Sequence, residues 1–185
     1  MASGPISRDR INLDGASILL LDDTPMGMSI LVQIVTGLGA KILHRCATLE
    51  EAQKATESCV LDLAIVDAMP PSGAGYEFVR WLRTTATEPN RYAPVLLTTG
   101  HTPARDVFRA RDVGSTLIIR KPIVPTVVVE RIFRATAEGR QFVMSDSYSG
   151  PDRRHRDLGP PNGVGRRYTD GDSFELAITD RPVAG

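Results

Sequence analysis

Short, continuously apolar runs alternate along this chain with segments whose apolar residues return every three or four positions. Residues 17–21 form the first such run and stop at Asp22-Asp23, as suits a strand buried on both faces. From Pro25, the positions Met28, Leu31, Val32, Val35 and Leu38 mark one face of a helix that Gly37 and Gly39 are placed to end. The pattern then repeats. Strands are predicted at 41–45, 63–66, 95–98 and 116–119, and helices at 48–58, 76–83, 103–113 and 125–138. Thr48 with Glu51 reads as a capping box for the second helix, and Thr102 as the cap of the fourth.

Five strands alternating with five helices predict a doubly wound, flavodoxin-like α/β fold, a five-stranded parallel sheet covered on both faces by right-handed crossovers. Ligands of such sheets bind beyond the carboxyl ends of the strands. Asp22, Asp23, Asp67, Thr99 and Lys121 all fall there, so five polar side chains are expected in one crevice. Taken singly, each has a bland explanation. An Asp pair after a strand can cap a helix or sit in a solvated loop, a strand-end Thr can serve only packing, and a Lys can be an exposed charge. Three carboxylates at one sheet end would repel one another unless a divalent hard cation lay between them, and Mg²⁺ suits that oxygen-rich setting.

In chain order the motifs are LLLDDTP, IVDAMPPSGAG with Pro71 and Gly75, PVLLTTG, and IIRKPI. Together they resemble the receiver domain of two-component response regulators, over residues 16–139. The resemblance implies that Asp67 accepts a phosphoryl group from a histidine kinase or phosphotransfer protein. It implies Mg²⁺ ligation by Asp22, Asp23, Asp67 and the backbone carbonyl of Met69, a hydroxyl from Thr99, and an ammonium from Lys121 aimed by a cis bond to Pro122. It also implies a phosphoacceptor that loses phosphate slowly by itself, not a turnover enzyme. A phosphatase of the haloacid dehalogenase type would need a D-x-D motif, and Ala68-Met69 follow Asp67. The chain departs from the family pattern at Ile118, where an aromatic is usual three residues before the lysine. It departs again at Thr24 and Ala74, which stand in place of frequent acidic residues.

Composition narrows the partners. Lys+Arg and Asp+Glu are 22 each, so no global field draws the chain to nucleic acid or anionic lipid. No apolar run approaches the ~20 residues that span a bilayer, and Cys46 and Cys59 fit neither a metal site nor a disulfide framework. A cytoplasmic location without membrane association is expected. His44, His101 and His155 share no ligand spacing. No helix-turn-helix follows the last helix, so a stand-alone receiver with no DNA-binding domain is expected, its output passing through a downstream protein target, a phosphate relay or the tail. Arg105, Arg109, Arg131 and Arg134 make the face of the fourth and fifth helices basic.

Residues 1–15 read as a polar leader. Residues 140–185 lose the apolar periodicity and read as an Arg/Gly/Pro/Asp-rich extension, largely disordered on its own, which Phe142 and Tyr148 could anchor to the domain. Two blocks, SGPDRRHRD and GVGRRYTD, place arginine forks beside aspartate, chemistry that suits guanine edges and phosphates. They resemble the arginine-rich extension of receiver-like effectors that bind cyclic di-GMP. That resemblance gives Asp152, Arg153, Arg154, Arg156, Arg166 and Arg167 as an alternative, nucleotide-binding site. Charges that merely keep a tail solvated, or a docking segment for protein or nucleic acid, account for the same residues.

Overall fold

The computed structural model describes residues 12–69, 71–100, 104–137, 141–145 and 148–152. The elements are β1 (Ser17–Leu21), α1 (Pro25–Gly37), β2 (Ile42–Cys46), α2 (Leu49–Ser58), β3 (Leu63–Asp67) and α3 (Ala74–Thr84). They continue with β4 (Val95–Thr99), α4 (Ala104–Asp112), β5 (Leu117–Arg120), α5 (Pro125–Ala137), β6 (Phe142–Ser145) and β7 (Tyr148–Pro151). β1 to β5 form one sheet in the order β2-β1-β3-β4-β5, with every pair parallel. This is the expected doubly wound, flavodoxin-like sheet, with its switch point between β1 and β3.

Each central strand is apolar on both faces because both are covered. Leu19, Leu21, Ala64, Val66, Val95 and Leu97 point into one core with Phe78, Val79 and Leu82 of α3 and Ala110 of α4. Ile18, Leu20, Leu63, Ile65, Leu96 and Ile119 point into the other, with Leu31 and Val35 of α1 and Val128 and Ile132 of α5. Burying each such side chain stabilises the fold by roughly 1.5–3 kcal/mol before conformational entropy is counted.

Helix starts follow local chemistry. The Thr24 hydroxyl accepts from Gly27 N at the start of α1, with Pro25 in the first turn. The Thr48 hydroxyl accepts from Glu51 N, but the Glu51 carboxylate reaches back to Ala47 N at 2.7 Å, one residue beyond the position a capping box would use. The expected Thr102 cap lies outside the described residues. β3 and β4 each run one residue further than the apolar pattern indicates, which makes Asp67 and Thr99 the last residues of their strands.

Patterning gives no element after α5, yet residues 142–145 and 148–151 pair antiparallel as β6 and β7. Tertiary contacts hold this hairpin in place. The Phe142 ring meets Tyr92 edge-on at 4.8 Å and lies under the Arg83 guanidinium at 5.6 Å, while the Ser149 hydroxyl donates to Arg83 O at 2.9 Å. Arg83 is fully buried and donates through Nε to Gly114 O at 3.0 Å and through Nη1 to Arg91 O at 2.5 Å. Burial holds its guanidinium down to about 10, a penalty that the carbonyls and the facing ring offset in part.

Gly114, at φ +93°, lies against the hairpin. A Cβ there would lie 2.6 Å from Ser149 O and 2.9 Å from Arg83 Cγ. Gly114→Ala is therefore expected to destabilise by about 2 kcal/mol, through the left-handed backbone and the clash together. Amide exchange should accelerate across β6-β7 more than in β1 or β3. Unchanged exchange in the hairpin would contradict this.

Candidate functional site

The carboxyl end of β1 delivers Asp22 and Asp23, and that of β3 delivers Asp67. Asp22 and Asp67 are buried, Asp23 is exposed, and one carboxylate oxygen from each lies within 4.8 Å of the others. The close approach depends on glycines. A Cβ on Gly27 would sit 2.2 Å from Asp22 Oδ2, and one on Gly75 would sit 1.7 Å from the carbonyl oxygen of Asp67.

Each buried carboxylate has defined partners. Asp22 Oδ1 accepts from the Thr24 amide at 2.8 Å and the Thr24 hydroxyl at 2.6 Å. Thr24, which stands where an acidic residue is frequent, therefore fixes a carboxylate and adds none. Among the described residues Asp22 Oδ2 is buried without a hydrogen bond, with Lys121 Nζ 3.5 Å away. Asp67 Oδ1 lies 3.0 Å from Lys121 Nζ and accepts from the Thr98 hydroxyl at 3.0 Å, while Oδ2 accepts from Met69 N at 3.2 Å. The Lys121-Pro122 bond is cis.

Three carboxylates against one ammonium leave an excess of about two negative charges in a largely buried space. An anionic oxygen such as Asp22 Oδ2, out of water and with only the shared Lys121 ammonium 3.5 Å away, gains from a further cation beside it. The donor set is all oxygen and anionic, which fits Mg²⁺.

Met69 adopts φ 52°, a left-handed conformation that costs a side-chain-bearing residue about 1 kcal/mol. Its carbonyl, expected as a metal ligand, accepts from Gly73 N at 2.8 Å and the Ser72 hydroxyl at 2.9 Å. Both of its lone-pair directions are thus engaged, and the Ser72 hydroxyl is the partner free to rotate away.

The hydroxyl on Asp67 comes from Thr98, which the apolar pattern concealed inside a strand. Thr99 is buried at the same strand end and its carbonyl accepts from Lys121 N at 2.8 Å. Ile118 packs partly buried against the core on the α3 side. Arg109 stacks over the Tyr76 ring at 4.2 Å, so one arginine of the basic face is held against α3. Cys46 is a buried thiol that burial pushes up to about 11, which keeps it protonated and unreactive at neutral pH.

Of the alternative nucleotide site, only Asp152 is described. Its amide donates to Gln141 O at 2.8 Å, closing the end of the hairpin. Arg153, Arg154, Arg156, Arg166 and Arg167 lie outside the described residues, as do His101 and His155.

A parallel sheet of order β2-β1-β3-β4-β5, carrying an acidic cluster and a lysine beyond its carboxyl ends, is the architecture of a signal receiver. The chain belongs to the response regulator receiver domain family, whose profile matches residues 18–133. It is 29% identical over 134 residues to a probable histidine kinase 2 of rice (Oryza sativa), covering 65% of this chain and 13% of that one. It is also 29% identical over 111 residues to a protein-glutamate methylesterase/protein-glutamine glutaminase of Myxococcus xanthus, covering 60% of this chain and 31% of that protein. The chain thus spans under a third of the length of either relative.

Among solved structures it is similar to the receiver domain of a signal transduction histidine kinase from Syntrophus aciditrophicus, with a TM-score of 0.59 and 28% identity over 66% of this chain and 91% of that one. In fold it also matches chemotaxis protein CheY4 of Vibrio cholerae, with a TM-score of 0.58 and 23% identity over 65% and 98% of the two chains. Among the described residues no helix is long and apolar enough to cross a membrane.

Proposed function

We propose that Asp67 accepts a phosphoryl group from a histidine kinase or phosphotransfer protein, and that the phosphorylated domain signals to a protein partner by a change of conformation. The observation that carries this is the pairing of a buried Asp67 with Lys121 at 3.0 Å inside a cluster of three carboxylates. A carboxylate oxygen of Asp67 forms the new bond to phosphorus as the bond from phosphorus to the donor's imidazole nitrogen breaks, its electron pair returning to the ring. Lys121 can stay with Asp67 or turn to a phosphoryl oxygen, giving positive charge where the transferring group carries negative charge. Thr99, buried at the end of its strand, is the residue whose hydroxyl would bind the phosphoryl group.

Mg²⁺ would be held by Asp22, Asp23 and Asp67, with the Met69 carbonyl joining once the Ser72 hydroxyl turns away, and would supply charge neutralisation. The solved receiver of a histidine kinase from Arabidopsis thaliana, 19% identical, is described as complexed with Mg²⁺.

The surface that meets the partner is the face of α4, β5 and α5. It exposes Val107, Phe108, Val124 and Phe133, which a folded domain without a partner gains nothing by presenting. A nearly complete switch of that face requires the phosphoryl group to favour one conformer by about 5.5 kcal/mol.

Incubation with acetyl phosphate, followed by intact mass measurement, tests the proposal. Phosphoryl addition is expected with Mg²⁺, with little or none in EDTA or in Asp67→Asn. Addition that survives Asp67→Asn would overturn it.

A further inference from the structure

Asp67 carries a hydrogen-bond donor that the motif pattern does not assign. In the β3-β4 register Asp67 lies directly beside Thr98, not Thr99, so the Thr98 side chain shares the face of the reacting carboxylate. Thr98 is completely buried, and its hydroxyl donates to Asp67 Oδ1 at 3.0 Å. Among the described residues Oδ1 thus has two donors, Thr98 and Lys121, whereas Oδ2 has one amide, that of Met69 at 3.2 Å.

We propose that Thr98 shortens the life of the phosphoryl group on Asp67, by binding the carboxylate more strongly than it binds the acyl phosphate. This rests on Asp67 being the phosphoacceptor. Hydrolysis joins a water oxygen to phosphorus and breaks the phosphorus-oxygen bond to Asp67, whose oxygen keeps the bonding pair. The products are the free carboxylate and dihydrogen phosphate. In the acyl phosphate both Asp67 oxygens are close to neutral, one a carbonyl and the other the bridging atom.

As the bond breaks, a full negative charge returns to the carboxylate. A hydroxyl hydrogen bond to a charged oxygen is about twice as strong as one to a neutral oxygen. Thr98 therefore gains strength along the path to hydrolysis, and phosphoryl transfer through a loose transition state develops much of that charge before the barrier is crossed. The donor is aimed at this position before reaction, because the strand register and complete burial leave the hydroxyl no water to turn to.

Run in the opposite direction, the same bond stabilises the unreacted carboxylate. Removing it should leave phosphorylation by a small donor no slower than in the wild type. A damaged site would slow phosphorylation and leave the altered lifetime without a fixed sign.

Thr98→Val keeps the shape and removes only the hydroxyl, Thr98→Ala removes the hydroxyl with its methyl group, and Thr98→Ser retains the hydroxyl. Each full-length protein is labelled with radioactive acetyl phosphate, freed of donor, and followed for loss of label in Mg²⁺ and again in EDTA. Thr98→Val and Thr98→Ala are expected to hold the label about three- to tenfold longer in both conditions, with labelling no slower, and Thr98→Ser is expected to behave as the wild type. Lifetimes equal to or shorter than wild type in the hydroxyl-free variants, or a lengthened lifetime in Thr98→Ser, would overturn the proposal while leaving Asp67 as acceptor. A wild-type protein that takes no label dependent on Asp67 would overturn both.

Discussion

Asp22→Asn is expected to weaken Mg²⁺ binding by roughly 100-fold or more, and to reduce phosphorylation by acetyl phosphate in proportion at limiting Mg²⁺. Asn retains an oxygen to accept from the Thr24 amide and hydroxyl, now at 2.8 and 2.6 Å, so the turn into α1 should survive. What disappears is the anionic charge on an oxygen that is buried, unbonded and 3.5 Å from Lys121. Removing one of three clustered carboxylates also relieves repulsion, so thermal stability measured without Mg²⁺ should not fall. Calorimetric titration of Mg²⁺ checks the affinity and a melting curve in EDTA checks the stability. Wild-type affinity in the variant would remove Asp22 from the metal site.

Gly75→Ala should have the largest effect on folding of any single methyl group added near the site. The new Cβ would stand 1.7 Å from the Asp67 carbonyl oxygen and 2.7 Å from its carbon, both backbone atoms that cannot rotate aside. Either α3 must move away from β3 or the strand end must shift, in a core where Tyr76, Phe78 and Val79 of the same helix are buried. Overpacking of this kind costs about 3 kcal/mol or more, which for a domain of this size lowers the melting temperature by roughly 10 °C. Because the clash is with Asp67 itself, phosphorylation should fall even under conditions where the variant stays folded. Urea unfolding and acetyl phosphate labelling on the same preparation separate the two effects. A variant as stable as wild type would show that the helix has more room than these distances allow.

The sheet was legible because buried parallel strands leave an unambiguous trace. ILLL, LAIV, VLL and LII have no polar alternation to confuse with a one-sided strand, and the first three run directly into Asp22, Asp67 and Thr98, while Lys121 follows the last after one intervening residue. Asp22, Asp23, Asp67 and Lys121 could be placed together for the same reason, since topology carries all strand ends to one side.

What escaped depends on register and on contacts distant in sequence. Whether Thr98 or Thr99 faces Asp67 is decided by the pairing of β3 with β4, which two adjacent threonines do not reveal. The Met69 carbonyl is engaged by Ser72 and Gly73 because the residue turns left-handed, a state that a methionine does not signal. The hairpin of β6 and β7 was hidden by its Ser, Gly and Pro content. It forms because Arg83, Tyr92 and Gly114 present a buried cation, an aromatic edge and an open backbone to receive it.

Borohydride reduction tests most directly for an acyl phosphate on Asp67. The hydride converts a phosphorylated aspartate to homoserine and leaves free carboxylates untouched. After incubation with acetyl phosphate and Mg²⁺, then reduction and peptide mapping, homoserine is expected at position 67, with Asp22 and Asp23 unchanged. Homoserine at another aspartate, or a phosphorylated protein that borohydride does not alter, would contradict phosphotransfer to Asp67.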